Sequence, residues 1–96
     1  MDIDILLERV VKQRASDAFI SAGASPSIKV DGQINPITSQ VLSDEDAKAM
    51  VLSVMREDQQ QEFLEHHECN FAITRGELGR FRVSAFVQRE KCGMVL

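Results

Sequence analysis

The chain contains no tryptophan and no tyrosine, and five phenylalanines carry all of its aromatic mass. With two prolines, five glycines, no internal repeat and no low-complexity stretch, it is neither a fibrous array nor a disordered linker. Two cysteines, Cys69 and Cys92, are too few for a disulfide framework, which favours a reducing compartment. Met1 leads directly into Asp2, Ile3 and Asp4, with none of the basic start of a secretory signal. No apolar run approaches the ~20 residues needed to span a bilayer. The expectation is a soluble, cytoplasmic chain. None of the glycines is followed by Lys-Ser or Lys-Thr, so there is no phosphate-cradling loop, and the chain alone is not expected to hydrolyse a nucleotide.

What is present suits one small globular domain. The 96 residues are 44% hydrophobic and 27% charged, and a chain of this size buries roughly 65% of its unfolded surface. The net charge of −4 is unevenly spread. Between Arg75 and Lys91, five cations stand against Glu77 and Glu90, giving +3 and leaving −7 for the remainder. An acidic chain is a poor nucleic-acid binder, and none is expected as a partner. One basic end can still meet an anionic ligand, or simply guard a strand edge.

Periodicity predicts the elements. Ile3, Leu6, Leu7, Val10 and Val11 form an apolar stripe at helical spacing, with Asp2 as N-cap. Ala18-Phe19-Ile20 reads as a short strand. Ser27–Val30 and Gln33–Ile37 flank Asp31-Gly32, the pair that suits a type I′ hairpin turn. Ser43 followed by three acids starts a helix whose stripe is Ala47, Met50, Val51, Val54 and Met55. A second helix is expected from Glu57 to His66, anchored by Phe63 and Leu64. The period then falls to two: Phe71 and Ile73 in one strand, then Phe81, Val83, Ala85 and Val87 alternating with Arg80, Arg82, Ser84 and Phe86. Lys91-Cys92-Gly93 is expected to turn into a last strand beginning Met94-Val95-Leu96. That final apolar run lacks any cap or boundary residue, which reads as a fragment cut before something larger.

Candidate chemistry is sparse. His66, His67 and Cys69 crowd together, but adjacent helical residues project about 100° apart and suit one ion poorly, so no metal is expected. The thiols lack a nucleophile's context, and no catalytic residue is expected in the chain. Arg80 and Arg82 share the strand face opposite Phe81, Val83 and Ala85. Two neighbouring guanidinium groups repel unless an anion or carboxylate meets them; from pattern alone they fit surface shielding as well as an anion site.

Several stretches together resemble a known family. Ala15-Ser16-Asp17, Ser21-Ala22-Gly23 before Pro26, Val30-Asp31-Gly32 and the block Gly79-Arg80-Phe81-Arg82-Val83-Ser84-Ala85-Phe86 occur in the same order in type IV pilus retraction ATPases, the PilT/PilU family. His67-Glu68-Cys69-Asn70-Phe71-Ala72-Ile73, and Phe19 where PilT-like chains carry His, are closer to the PilU form. The resemblance spans essentially all 96 residues and implies a single PAS-like N-terminal domain over 1–96. Its fold would be α+β, an antiparallel sheet with an N-terminal helix and a central helix pair packed on it. It further implies that a RecA-like ATPase domain follows and binds ATP and Mg2+, this chain itself holding no cofactor. Six such subunits form a ring in which this domain packs on a neighbour's ATPase domain. Pilus retraction, that is twitching motility, is the implied work, at the cytoplasmic side of the inner membrane, with the pilus platform and a companion retraction ATPase as further partners. The arginine of the family's Phe-Arg-Val motif falls on Arg82 and is expected to reach the nucleotide's terminal phosphate, with Arg80 as a second candidate; another family arginine would lie just beyond Leu96. Against this stand two other readings of the same domain, an autonomous PAS-like small-ligand sensor and a partner-docking module.

Overall fold

A computed structural model describes residues 2–96. Among these residues three α-helices, one short 3-10 helix and six strands follow the order α1 (Ile3–Lys12), β1 (Asp17–Ser21), β2 (Ser27–Val30), β3 (Gln33–Pro36), α2 (Asp44–Ser53), α3 (Glu57–His66), β4 (Glu68–Thr74), the 3-10 turn Gly76–Leu78, β5 (Arg80–Gln88) and β6 (Lys91–Val95). The strands make one sheet in the order β3-β2-β1-β6-β5-β4, every pair antiparallel. This is the expected α+β arrangement of one antiparallel sheet with an N-terminal helix and a central helix pair. The join between β1 and β6 ties the two ends of the chain together, and Ala18 and Leu96 exchange both backbone hydrogen bonds at 3.0 and 3.1 Å.

Helix starts follow their caps. The Asp2 carboxylate accepts from the Asp4 N–H at 2.9 Å, and the Ser43 hydroxyl accepts from the Asp46 N–H at 3.0 Å. Asp44, Glu45 and Asp46 then occupy the positive first turn of α2. At the end of α3, His67 adopts a left-handed conformation with φ 64°, which lets the chain reverse into β4.

The helices cover one face of the sheet. Leu6 and Leu7 from α1, Ala47 and Val51 from α2 and Phe63 from α3 meet Ala18, Ile20, Ile28, Val83, Ala85 and Met94, all of them essentially without solvent contact. No polar or charged residue is buried among the described residues. Two anchor assignments need correction. Val11 and Leu64 are exposed. In α1 the stripe closes with the half-buried Val10, and Phe63 alone fills the space beneath α3, turning its neighbour outward.

The Asp31-Gly32 turn forms as expected, with φ of 50° and 79°. The last turn does not. Lys91, Cys92 and Gly93 belong to β6, and the reversal falls on Arg89-Glu90, which take φ of 52° and 66°. A two-residue hairpin demands two left-handed residues, and here two long side chains accept that strain. Replacing the pair by Asn-Gly should therefore stabilise the domain by about 1 kcal/mol or more, raising its melting temperature by several degrees. A thermal melt that does not rise would show that the pair carries no such strain.

Candidate functional site

Among the described residues no helix lies over the other face of the sheet. Alternation along β5 puts Arg80, Arg82, Ser84 and Phe86 there, and the pairings add Ala72 opposite Arg82, Thr74 opposite Arg80 and Val95 opposite Ser84. β1 contributes Asp17, Phe19 and Ser21, and β2 contributes Ser27 and Lys29. The Phe86 ring occupies the space beside Gly93: a Cβ added there would fall 2.8 Å from the phenyl Cε2. The open face is therefore a mixed surface of arginines, hydroxyls and half-covered aromatic rings.

The basic segment divides by its partners. Arg75 Nε bonds to Asp4 Oδ1 at 3.2 Å, tying the loop before β5 to the start of α1. Lys91 Nζ lies 4.0 Å from Asp44. Among the described residues Arg80, Arg82 and Arg89 make no ion pair. Arg80 and Arg82 are exposed, and both border a cleft of about 420 Å3 at the end of the open face, facing Ser16 and Asp17 across it. A guanidinium that has no carboxylate of its own and projects into a cleft can serve an anion or another polypeptide. The acid in that cleft, Asp17, escaped the sequence reading, because β1 and β5 come together only through β6.

The remaining candidates sit apart. Among the described residues no group of three or more His, Cys, Asp or Glu is placed to hold a metal ion. His66 ends α3 and His67 caps it. Cys69 is buried and its thiol donates to the Glu62 carboxylate at 3.0 Å. Burial, then the bond to Glu62, pushes that thiol up to about 11. Cys92 is likewise raised by burial. Both are thus poor nucleophiles near neutral pH. No helix among the described residues is long and apolar enough to cross a membrane.

Comparison with known proteins agrees with this fold. No protein-family model matches the chain. Over all 96 residues it is 51% identical to the type IV pilus ATPase PilU of Pseudomonas aeruginosa, of which it covers 25%. It is 38% identical over 95 residues to the type IV pilus retraction ATPase PilT of the same organism, covering 28% of that protein. Among solved structures, that of the pilus retraction motor PilT with bound ADP superposes with a TM-score of 0.91 at 27% identity, over 99% of this chain and 28% of the other. The Legionella pneumophila ATPase DotB shares the fold, with a TM-score of 0.80 at 22% identity over 98% of this chain and 27% of that one. The chain thus spans about a quarter of the length of the relatives it matches.

Proposed function

This chain belongs to the type IV pilus retraction ATPase family as its N-terminal domain, nearer to PilU than to PilT, and from that premise we propose that it regulates and assembles a ring-shaped pilus retraction motor. In this reading the chain holds no catalytic residue. It packs by its open sheet face against ATPase domains, its own and a neighbouring subunit's, in a homo-hexamer, and lends Arg82 to the terminal phosphate of bound ATP. Arg80 stands beside it as a secondary contact. ATP and Mg2+ belong to the parent protein, which works at the cytoplasmic side of the inner membrane with the pilus platform and a companion retraction ATPase.

The observation that carries the reading is the state of Arg82. It is exposed on a sheet face that no helix covers, beside a cleft, with no ion pair among the described residues. A planar fork of donors matches phosphate oxygens and stabilises charge that develops in phosphoryl transfer. The sensor alternative is less well supported. A ligand-binding core needs inward polar groups to orient its ligand, and the buried set here is wholly apolar.

Deleting residues 1–96 from the parent ATPase tests the proposal. ATP turnover should fall at least tenfold, and light scattering should show loss of the hexamer. A truncated protein that still assembles and turns over ATP at the original rate would reduce this domain to a docking module.

A further inference from the structure

The two edges of the sheet differ in what they offer. In an antiparallel ladder alternate residues bond to the neighbouring strand and the rest point away, so register decides which backbone groups of an edge are free. At β3 the Ile37 N–H donates to the Pro26 carbonyl at 2.9 Å, so Gln33 and Asn35 also bond to β2, and Ile34 and Pro36 face outward. Proline has no N–H, which leaves that short edge a single donor, from Ile34. At β4 the Arg75 N–H donates to the Gly79 carbonyl and the Val87 N–H to the His67 carbonyl, both at 2.9 Å. Cys69, Phe71 and Ile73 therefore bond to β5, and Glu68, Asn70, Ala72 and Thr74 turn their N–H and C=O groups outward.

None of those four residues makes a backbone hydrogen bond elsewhere among the described residues, and no strand pairs beyond β4. The edge is seven residues long, with neither proline nor lysine nor bulge to blunt it. β5 stands between it and β6, so a longer β6 would leave it as it is. One end of the edge is acidic. A hollow of about 440 Å3 lies beside it there, lined by Glu62 and His66 of α3 and by Glu68, Cys69 and Asn70. The Glu62 carboxylate accepts from the Cys69 thiol at 3.0 Å, and neither Glu62 nor Glu68 has an ion pair among the described residues. The opposite end adjoins cations, because Ala72 pairs with Arg82 and Thr74 with Arg80.

We propose that the free edge of β4 receives, as an added strand, an extended segment of a partner protein that carries two successive lysines or arginines at the Glu68 end. Main-chain hydrogen bonds to the outward residues hold the segment, and side chains select it. Successive side chains of a strand point to opposite faces, so one cation meets Glu68 on the open face and the next meets Glu62 on the helix side. Phe71, half-buried at the edge, gives the segment an apolar contact on the helix side. Arg80 and Arg82 repel further cations at the Thr74 end, which confines the basic pair to the other. None of this depends on the role proposed above for Arg82.

The test titrates the 96-residue chain, labelled with nitrogen-15, with an acetylated peptide in which a lysine pair adjoins alternating threonine and valine. Both orders of the peptide are used, because an added strand can run either way. In the free chain the Asn70, Ala72 and Thr74 amide protons should exchange rapidly with solvent, and those of Phe71 and Ile73 slowly. The peptide should slow exchange at the outward positions severalfold and leave Ile34 of β3 unchanged. Glu62→Gln combined with Glu68→Gln should weaken binding about three- to tenfold. Ala72→Pro removes one outward donor and leaves the ladder to β5 intact, and should abolish the alternating protection. Failure of both peptide orders to protect the outward amides overturns the proposal, as does equal binding of a peptide with glutamates in place of the lysines. Protection that grows with chain concentration in the absence of peptide, with a dimer seen by light scattering, assigns the edge to a second copy and overturns it as well. If Ala72→Pro does not fold, the two carboxamide substitutions and the glutamate peptide still decide.

Discussion

Arg82→Ala in the proposed parent ATPase should lower ATP turnover by about three orders of magnitude, the lower end of what arginines supplied to a phosphoryl-transfer site contribute. The same change in the 96-residue chain should shift its melting temperature by about 4 °C at most. The contrast follows from where the side chain sits. Arg82 is exposed, makes no ion pair among the described residues, and lies opposite the small Ala72, so its removal leaves no cavity and no orphaned charge. Exposed substitutions of this kind usually stay within about 0.5 kcal/mol. Arg82→Lys should fall between the two, because the charge is kept and the planar fork is lost. Light scattering on each variant separates a failure of chemistry from a failure of assembly. Full turnover in an assembled Arg82→Ala protein would remove this arginine from the mechanism.

How far the sequence could be read depended on how local each feature's cause was. The Asp31-Gly32 turn, the Asp2 and Ser43 caps and the limits of α3 are set by residues a few positions apart, and all appear as expected. The face on which Arg82 lies follows from the period of two along β5, another local property. The features that were missed carry no such local signal. Phe63 rather than Leu64 enters the core because of how α3 lies against β4, which no spacing within the helix reveals. The Arg89-Glu90 reversal carries none of the usual turn chemistry, so Gly93 drew the turn toward itself. Asp17 could not be matched with Arg82 until the sheet order placed β6 between β1 and β5. Local signals therefore located the arginine, and tertiary pairing showed which residues share its end of the sheet.

Gly93 carries the other large effect, and here the cause is space rather than backbone freedom. Gly93→Val should destabilise the chain by about 3 kcal/mol, read as a lower urea midpoint at unchanged slope. A Cβ at this position would fall 2.8 Å from Phe86 Cε2, 2.9 Å from Phe86 Cζ and 2.9 Å from the Ile20 carbonyl oxygen. The phenyl ring can swing into solvent, but the carbonyl cannot move, because β1 is fixed against β6 through the Ile20 and Met94 pairing. Adding Phe86→Leu to Gly93→Val should therefore recover part of the loss and leave the remainder. A double-mutant cycle would report that coupling directly. Full recovery would show the carbonyl contact to be harmless, and no recovery would show that the ring does not rest on this glycine. The result bears on function as well as stability. The ring over Gly93 and the arginine at position 82 lie on the same open face of β5, so a strand pushed aside at one end would disturb the surface that presents the other. In the proposed parent ATPase ring, Gly93→Val should accordingly weaken assembly beyond what its melting temperature alone accounts for.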